Sequence, residues 1–176
     1  MIRVLALGLT LTWWSTLACA AQEIIVDLDI HSNSPALYLV ENGTITHTWP
    51  IAAPRYTPKC LFSHDVGGLV RTIEHHAVWR PTDRTRRASK YRLKEAYGPT
   101  DPGNALAGRR LAITWDHACI KDTIRIHATY DEHHVRNRAR VSRGCIRMLR
   151  ADWESLAKLI EIGTRVRMTI NLHGDG

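Results

Sequence analysis

Cys145, with His127 upstream of it, is the side chain in this sequence best suited to nucleophilic chemistry. A thiol accepts an acyl group well only as thiolate, so it needs a base or cationic surroundings. Arg136, Arg138, Arg140, Arg143, Arg147 and Arg150 crowd the sequence around Cys145. They favour the thiolate, although exposed arginines far from the sulfur contribute little. The base must come from elsewhere in the chain, and His127, at the end of a predicted strand, is well placed for a sheet-mounted imidazole. Gly144 directly before the cysteine permits a tight turn. That turn can aim the N–H groups of Arg143, Gly144 and Cys145 at the oxyanion of a tetrahedral intermediate. Chemistry of this kind needs no metal and no cofactor.

The elements that must hold these groups read as mostly strand. Glu23 to Asp29 is β-rich, and Ala36 to Glu41 and Thr44 to Trp49 flank Asn42-Gly43, a strong two-residue hairpin signal. Arg109 to Trp115 and Asp122 to His127 read as two further strands. Thr164 to Leu172 alternates, with Val166, Met168, Ile170 and Leu172 facing one way. One helix is expected, capped by Asp152, with Trp153, Leu156, Ala157 and Ile160 on one face and Gly163 past its end. The fold class is therefore mainly β: a compact β-sandwich or half-open barrel with one α-helix in the C-terminal half. The stretch from Pro54 to Gly108 is the least regular and reads as loops with short strands, the kind of surface that builds a substrate cleft.

A chain of 176 residues makes one domain with a real core. Residues 1–20 read as a signal peptide: Arg3, an apolar run from Val4 to Leu17, then Ala18-Cys19-Ala20 for cleavage after Ala20. The mature domain would be residues 21–176, exported to the periplasm or cell envelope. Membrane contact enters only through lipidation at Cys19, the minority reading because Thr16 replaces the expected aliphatic residue. The leader takes only Arg3 from a net charge of +7, so the mature chain stays basic and suits anionic partners rather than nucleic acid, for which no module is present. Cys60, Cys119 and Cys145 remain after processing. An odd number in an oxidising compartment leaves one thiol outside any intrachain pair; Cys60 with Cys119 is the pairing that would leave Cys145.

His127, fourteen residues, then Ser142-Arg143-Gly144-Cys145-Ile146-Arg147-Met148 resembles the signature of the L,D-transpeptidase catalytic domain, the YkuD-type family. Thr57-Pro58 resembles that family's early Thr-Pro element, and Gly103 to Gly108 its stretch before the strand leading to the histidine. Arg143 stands where many members carry a second His, and Ala128 where Gly is common. The resemblance implies a peptidoglycan L,D-transpeptidase. Cys145 would attack the bond before D-Ala in a tetrapeptide stem, with His127 as general base, and pass the acyl group to an amine on another stem or on a lipoprotein. Ser142, Arg143 and Arg147 would contact substrate, the guanidiniums pairing with its carboxylates. A backbone carbonyl, Thr129 or Asp131 could orient His127. Alternatives are a hydrolytic carboxypeptidase or amidase on the same fold, and a non-catalytic wall-binding module.

Plainer readings stand beside these. Most cysteines outside disulfides are inert core residues. His133-His134 and His75-His76 are adjacent pairs, read as surface imidazoles rather than a zinc site. The basic run from Arg80 to Arg92 reads as a solvated loop, with Trp79 and Pro81 as an anchor beneath it. The alternation of Arg136, Arg138 and Arg140 reads as a strand edge protected by charge.

Overall fold

The computed structural model describes residues 21–120 and 124–172. The leader expected over 1–20, the Cys19 lipidation reading and part of the strand expected from Asp122 fall outside these residues. Ten strands form: β1 Gln22–Asp27, β2 Ala36–Glu41, β3 Thr44–Pro50, β4 Ala53–Pro54, β5 Val66–Glu74, β6 Arg110–Trp115, β7 Ile126–Ala128, β8 Arg140–Ser142, β9 Ile146–Met148 and β10 Arg165–Thr169. Three helices accompany them, α1 Asp83–Ala88, α2 Glu132–Arg136 and α3 Arg150–Leu159. Eight strands make one sheet in the order β3-β2-β1-β10-β5-β6-β7-β9, while β4 pairs with β8. The sheet curls into a nearly closed barrel. Its two edges meet where Ala52, just past β3, exchanges backbone hydrogen bonds of 2.9 and 3.0 Å with Arg147 in β9.

The hairpin turn falls at Asn42-Gly43, both residues at positive φ, so β2 and β3 pair as the turn chemistry dictates. Inward residues of successive strands fill the barrel: Ile24, Val26, Leu37, Leu39, Leu111, Ile113, Ile126, Ile146, Met148, Val166 and Met168 are all buried. Trp153 and Leu156 of α3 complete this core, and α3 packs on β7.

Three expectations change. Helix α3 begins at Arg150, with Leu149 before it, so Asp152 lies in the first turn and is not the cap. The longest strand, β5, sits inside the stretch read as irregular. Gly67 and Gly68 disguise it, and Gly68 is needed, because a Cβ there would meet the Thr114 carbonyl at 2.7 Å. The arginine alternation does not run along one strand edge, for only Arg140 lies in a strand, β8. Arg136 lies in α2; Arg138 donates to the Ser34 and Pro35 carbonyls at 3.1 Å; Arg140 reaches the Leu28 carbonyl at 2.8 Å and Thr57 Oγ1 at 2.7 Å. These side chains tie the connection after β7 to distant loops.

Candidate active site

Strand register places the chemistry. Across β5, β6, β7 and β9 the residues Glu74, Arg110, His127 and Arg147 stand side by side in one row. Arg125 lies two residues before His127, and Cys145 two before Arg147, so this pair forms the next row. Because side chains alternate along a strand, both rows project from the same face, opposite the inward Leu111, Ile126 and Ile146. His127 and Cys145 are thus diagonal neighbours on adjacent parallel strands, about 8 Å apart at Cα for ideal strand spacing and rise. A two-residue period thereby brings together residues far apart in sequence.

His127 is buried, with 4% of its surface exposed. Its Nδ1 lies 2.7 Å from the Ala128 carbonyl, which can only accept, so Nδ1 carries the proton and Nε2 presents a lone pair. A backbone carbonyl therefore orients the ring. Burial pushes the imidazole down to about 4, helped by the nearby charges of Arg147, Arg125 and Arg110 and opposed by the Ala128 hydrogen bond. Cys145 is half-buried, and burial pushes its thiol above the ordinary range. The Arg125 backbone N–H and the guanidiniums of Arg125 and Arg147 pull the other way. Desolvation dominates, so the resting pair is neutral thiol and neutral imidazole rather than the arginine-stabilised thiolate the sequence suggests. Such a pair acts by general base catalysis at the moment of attack.

Gly144 has φ +153°, in the region that disfavours a side chain, which lets the chain turn sharply into Cys145. Ser142 is buried; its hydroxyl donates to the Cys145 carbonyl and accepts the Gly144 N–H at 3.2 Å. Ser142, expected as a substrate contact, closes the turn in this structure, and the Gly144 N–H has it as partner. Arg143 is exposed. Arg147 carries a buried Nε with no hydrogen-bond partner among the described residues, as does Arg125. Glu74 is the acid of the row and is held by Arg110 through a two-nitrogen contact at 3.0 Å and closer. The guanidiniums of Arg125 and Arg147 flank His127 and Cys145 with no carboxylate paired to either among the described residues, a setting that suits an anionic ligand.

Residues 22–168 match the model of the L,D-transpeptidase catalytic domain, the YkuD family. The chain belongs to this family. Similar solved structures include an L,D-transpeptidase from Mycobacterium smegmatis (15% identity, TM-score 0.57, 85% of this chain and 59% of that one). L,D-transpeptidase 3 from Mycobacterium tuberculosis, solved with a faropenem-derived adduct, aligns at 14% identity and TM-score 0.56, over 85% of this chain and 60% of that one. An L,D-transpeptidase from Stackebrandtia nassauensis aligns at 14% identity and TM-score 0.52, over 89% and 59%. At these identities the likeness is one of fold, and this chain spans about three-fifths of the length of those proteins. Among curated protein sequences none matches.

Within this L,D-transpeptidase domain the secondary motifs have physical duties. Thr57 receives Arg140, and Pro58 leads into the 3-10 turn Lys59–Phe62 that carries Cys60, disulfide-bonded to Cys119, a pairing the sequence leaves open. Asn104 is buried: its amide donates to the Ala77 and Gly98 carbonyls at 2.9 and 2.8 Å, and its oxygen accepts the Leu106 N–H at 2.8 Å. That side chain gathers the long excursion between β5 and β6 into a defined shape. Arg125 and the Glu74–Arg110 pair escaped the sequence reading. Arg125 carried a signal, since a residue two before a strand-borne His shares its face; Glu74 had none, because β5 was not recognised.

Proposed function

We propose that this domain is an exported peptidoglycan L,D-transpeptidase working through a Cys145 acyl-enzyme. The observation that carries the reading is the shared face of β7 and β9. It sets His127, with Nδ1 held by Ala128, diagonally across from Cys145. Nε2 takes the thiol proton as sulfur attacks the carbonyl preceding D-Ala in a tetrapeptide stem. The imidazolium then protonates the departing amine, the C–N bond breaks, and a thioester and D-Ala result. An acceptor amine attacks the thioester, loses a proton to His127, and restores the thiol. A cross-linked stem or an attached lipoprotein is the product. The N–H groups of Cys145 and Arg143 stabilise the oxyanion, and Arg147 with Arg143 receives substrate carboxylate. Ser142 serves by holding this turn. A disulfide between Cys60 and Cys119 and the leader read over residues 1–20 support an oxidising compartment.

The test is intact mass after incubation with a carbapenem or a penem, since one structural relative carries a faropenem-derived adduct and another was solved with imipenem. A covalent adduct on wild type, absent from Cys145→Ala and slowed in His127→Ala, is the expected result. Folded protein with a reduced Cys145 and no adduct overturns it in favour of a non-catalytic wall-binding module. Stem-peptide turnover with and without acceptor amine then separates transferase from hydrolase.

A further inference from the structure

Two clusters among the described residues gather three donors able to ligate metal: Cys60, His117 and Cys119, and Asp131, His133 and His134. The first is closed, because its two thiols are joined in the disulfide. The second stands open at the start of α2. We propose that Asp131, His133 and His134 form a binding site for a divalent transition-metal ion, zinc by the chemistry of the donors.

The sequence shows only adjacent histidines, a spacing that does not by itself converge on one ion. The chain path supplies what the spacing lacks. His133 Nδ1 lies 2.7 Å from Asp131 Oδ1, and His134 Nε2 lies 3.1 Å from Asp131 Oδ2. The two rings are 3.9 Å apart between centroids, and one donor atom from each of the three residues falls within 4.8 Å of the others. Tetrahedral zinc with bonds near 2.0–2.1 Å separates its ligand atoms by about 3.4 Å. Small rotamer adjustments bring this set to that spacing. Two imidazoles and one carboxylate leave a fourth position to solvent, the composition of an open zinc site.

The backbone carrying the donors is fixed on both sides. Thr129 Oγ1 accepts the Asp131 N–H at 3.1 Å, while the His133 and His134 carbonyls accept from Asn137 and Ala139 at 3.0 and 2.8 Å. Glu132 adjoins the cluster but is paired with Arg136 at 2.8 Å, so the Asp131 carboxylate supplies the negative charge for a cation. A bound ion would clamp the start of the connection that runs from His127 to Cys145, without touching either.

The experiment uses the tag-free chain in a Cys145→Ala background, which removes the thiolate–imidazole alternative at the reacting pair. Zinc is titrated against a chromophoric chelator, and cobalt(II) absorption is recorded. One equivalent bound at micromolar zinc, weakened at least tenfold in His134→Ala and in Asp131→Asn, is expected, with a zinc-dependent rise in Tm seen in the parent alone. The three side chains are at least partly exposed, so metal-free variants should melt with the parent. No binding at micromolar zinc, or binding undiminished in the His133→Ala/His134→Ala double variant, overturns the site. Either outcome leaves acyl transfer by Cys145 to be judged separately.

Discussion

His127 has consequences for stability as well as chemistry. Its imidazole is held down to about 4 in the fold, against the ordinary value of 6.5 when unburied. Between these values the unfolded chain binds a proton that the folded one refuses, so stability falls as pH drops from 6.5 to 4 and is fully present above 6.5. The size of the shift corresponds to about 3 kcal/mol. Urea midpoints at neutral pH and near pH 4.5 should therefore differ more for wild type than for His127→Gln, whose side chain does not titrate. Equal slopes for the two proteins would contradict the burial argument. The identities of His127 and Cys145 were readable because spacing and type suffice for that. The group orienting the ring was not, since a carbonyl one residue on depends on backbone path alone. Nor was the neutral state of the pair, because the nearby arginines are visible in sequence whereas the desolvation opposing them is not.

The elements divide along the same line. The β2–β3 hairpin was legible to the residue at its first strand, as Asn42 and Gly43 tolerate positive φ and few neighbours compete there. Strands β8 and β9 span three residues each, too few for any period to show, yet β9 sets Arg147 beside His127 of β7 with Cys145 just before it. β5 was hidden by two glycines, and the need for Gly68 arises from the Thr114 carbonyl across the sheet. The excursion between β5 and β6 holds its shape through Asn104. Replacing it with Ala leaves the Ala77 and Gly98 carbonyls without that donor and should cost about 2 kcal/mol. Hydrogen exchange should then rise in residues 75–109 first and leave β1 and β2 protected. Uniform deprotection would mean Asn104 supports the whole barrel.

At the scale of the molecule, the Cys60–Cys119 bridge closes a loop with a sequence separation of 59 residues, enclosing β5, α1 and β6. In the chain-entropy picture a loop of that size contributes about 4 kcal/mol, an upper figure if the reduced chain retains structure. Reduction should lower the urea midpoint with little change in slope; an unmoved midpoint would show that packing alone holds these segments. The barrel class was anticipated, whereas the pairing of these cysteines was left open, since their separation in space is not written in the sequence. The barrel's closure through Ala52 and Arg147 was not anticipated, because a single bridge leaves no pattern in the chain.

That same bridge gives the laboratory a convenient handle. With two sulfurs joined, the described residues offer one address for a thiol-directed label, beside the reacting histidine. A maleimide fluorophore should attach once per chain, slowly near neutrality because burial raises the Cys145 thiol, and faster in alkali. Ligands that settle over Cys145 would then reveal themselves by shielding the sulfur, turning a labelling rate into a screen for binders.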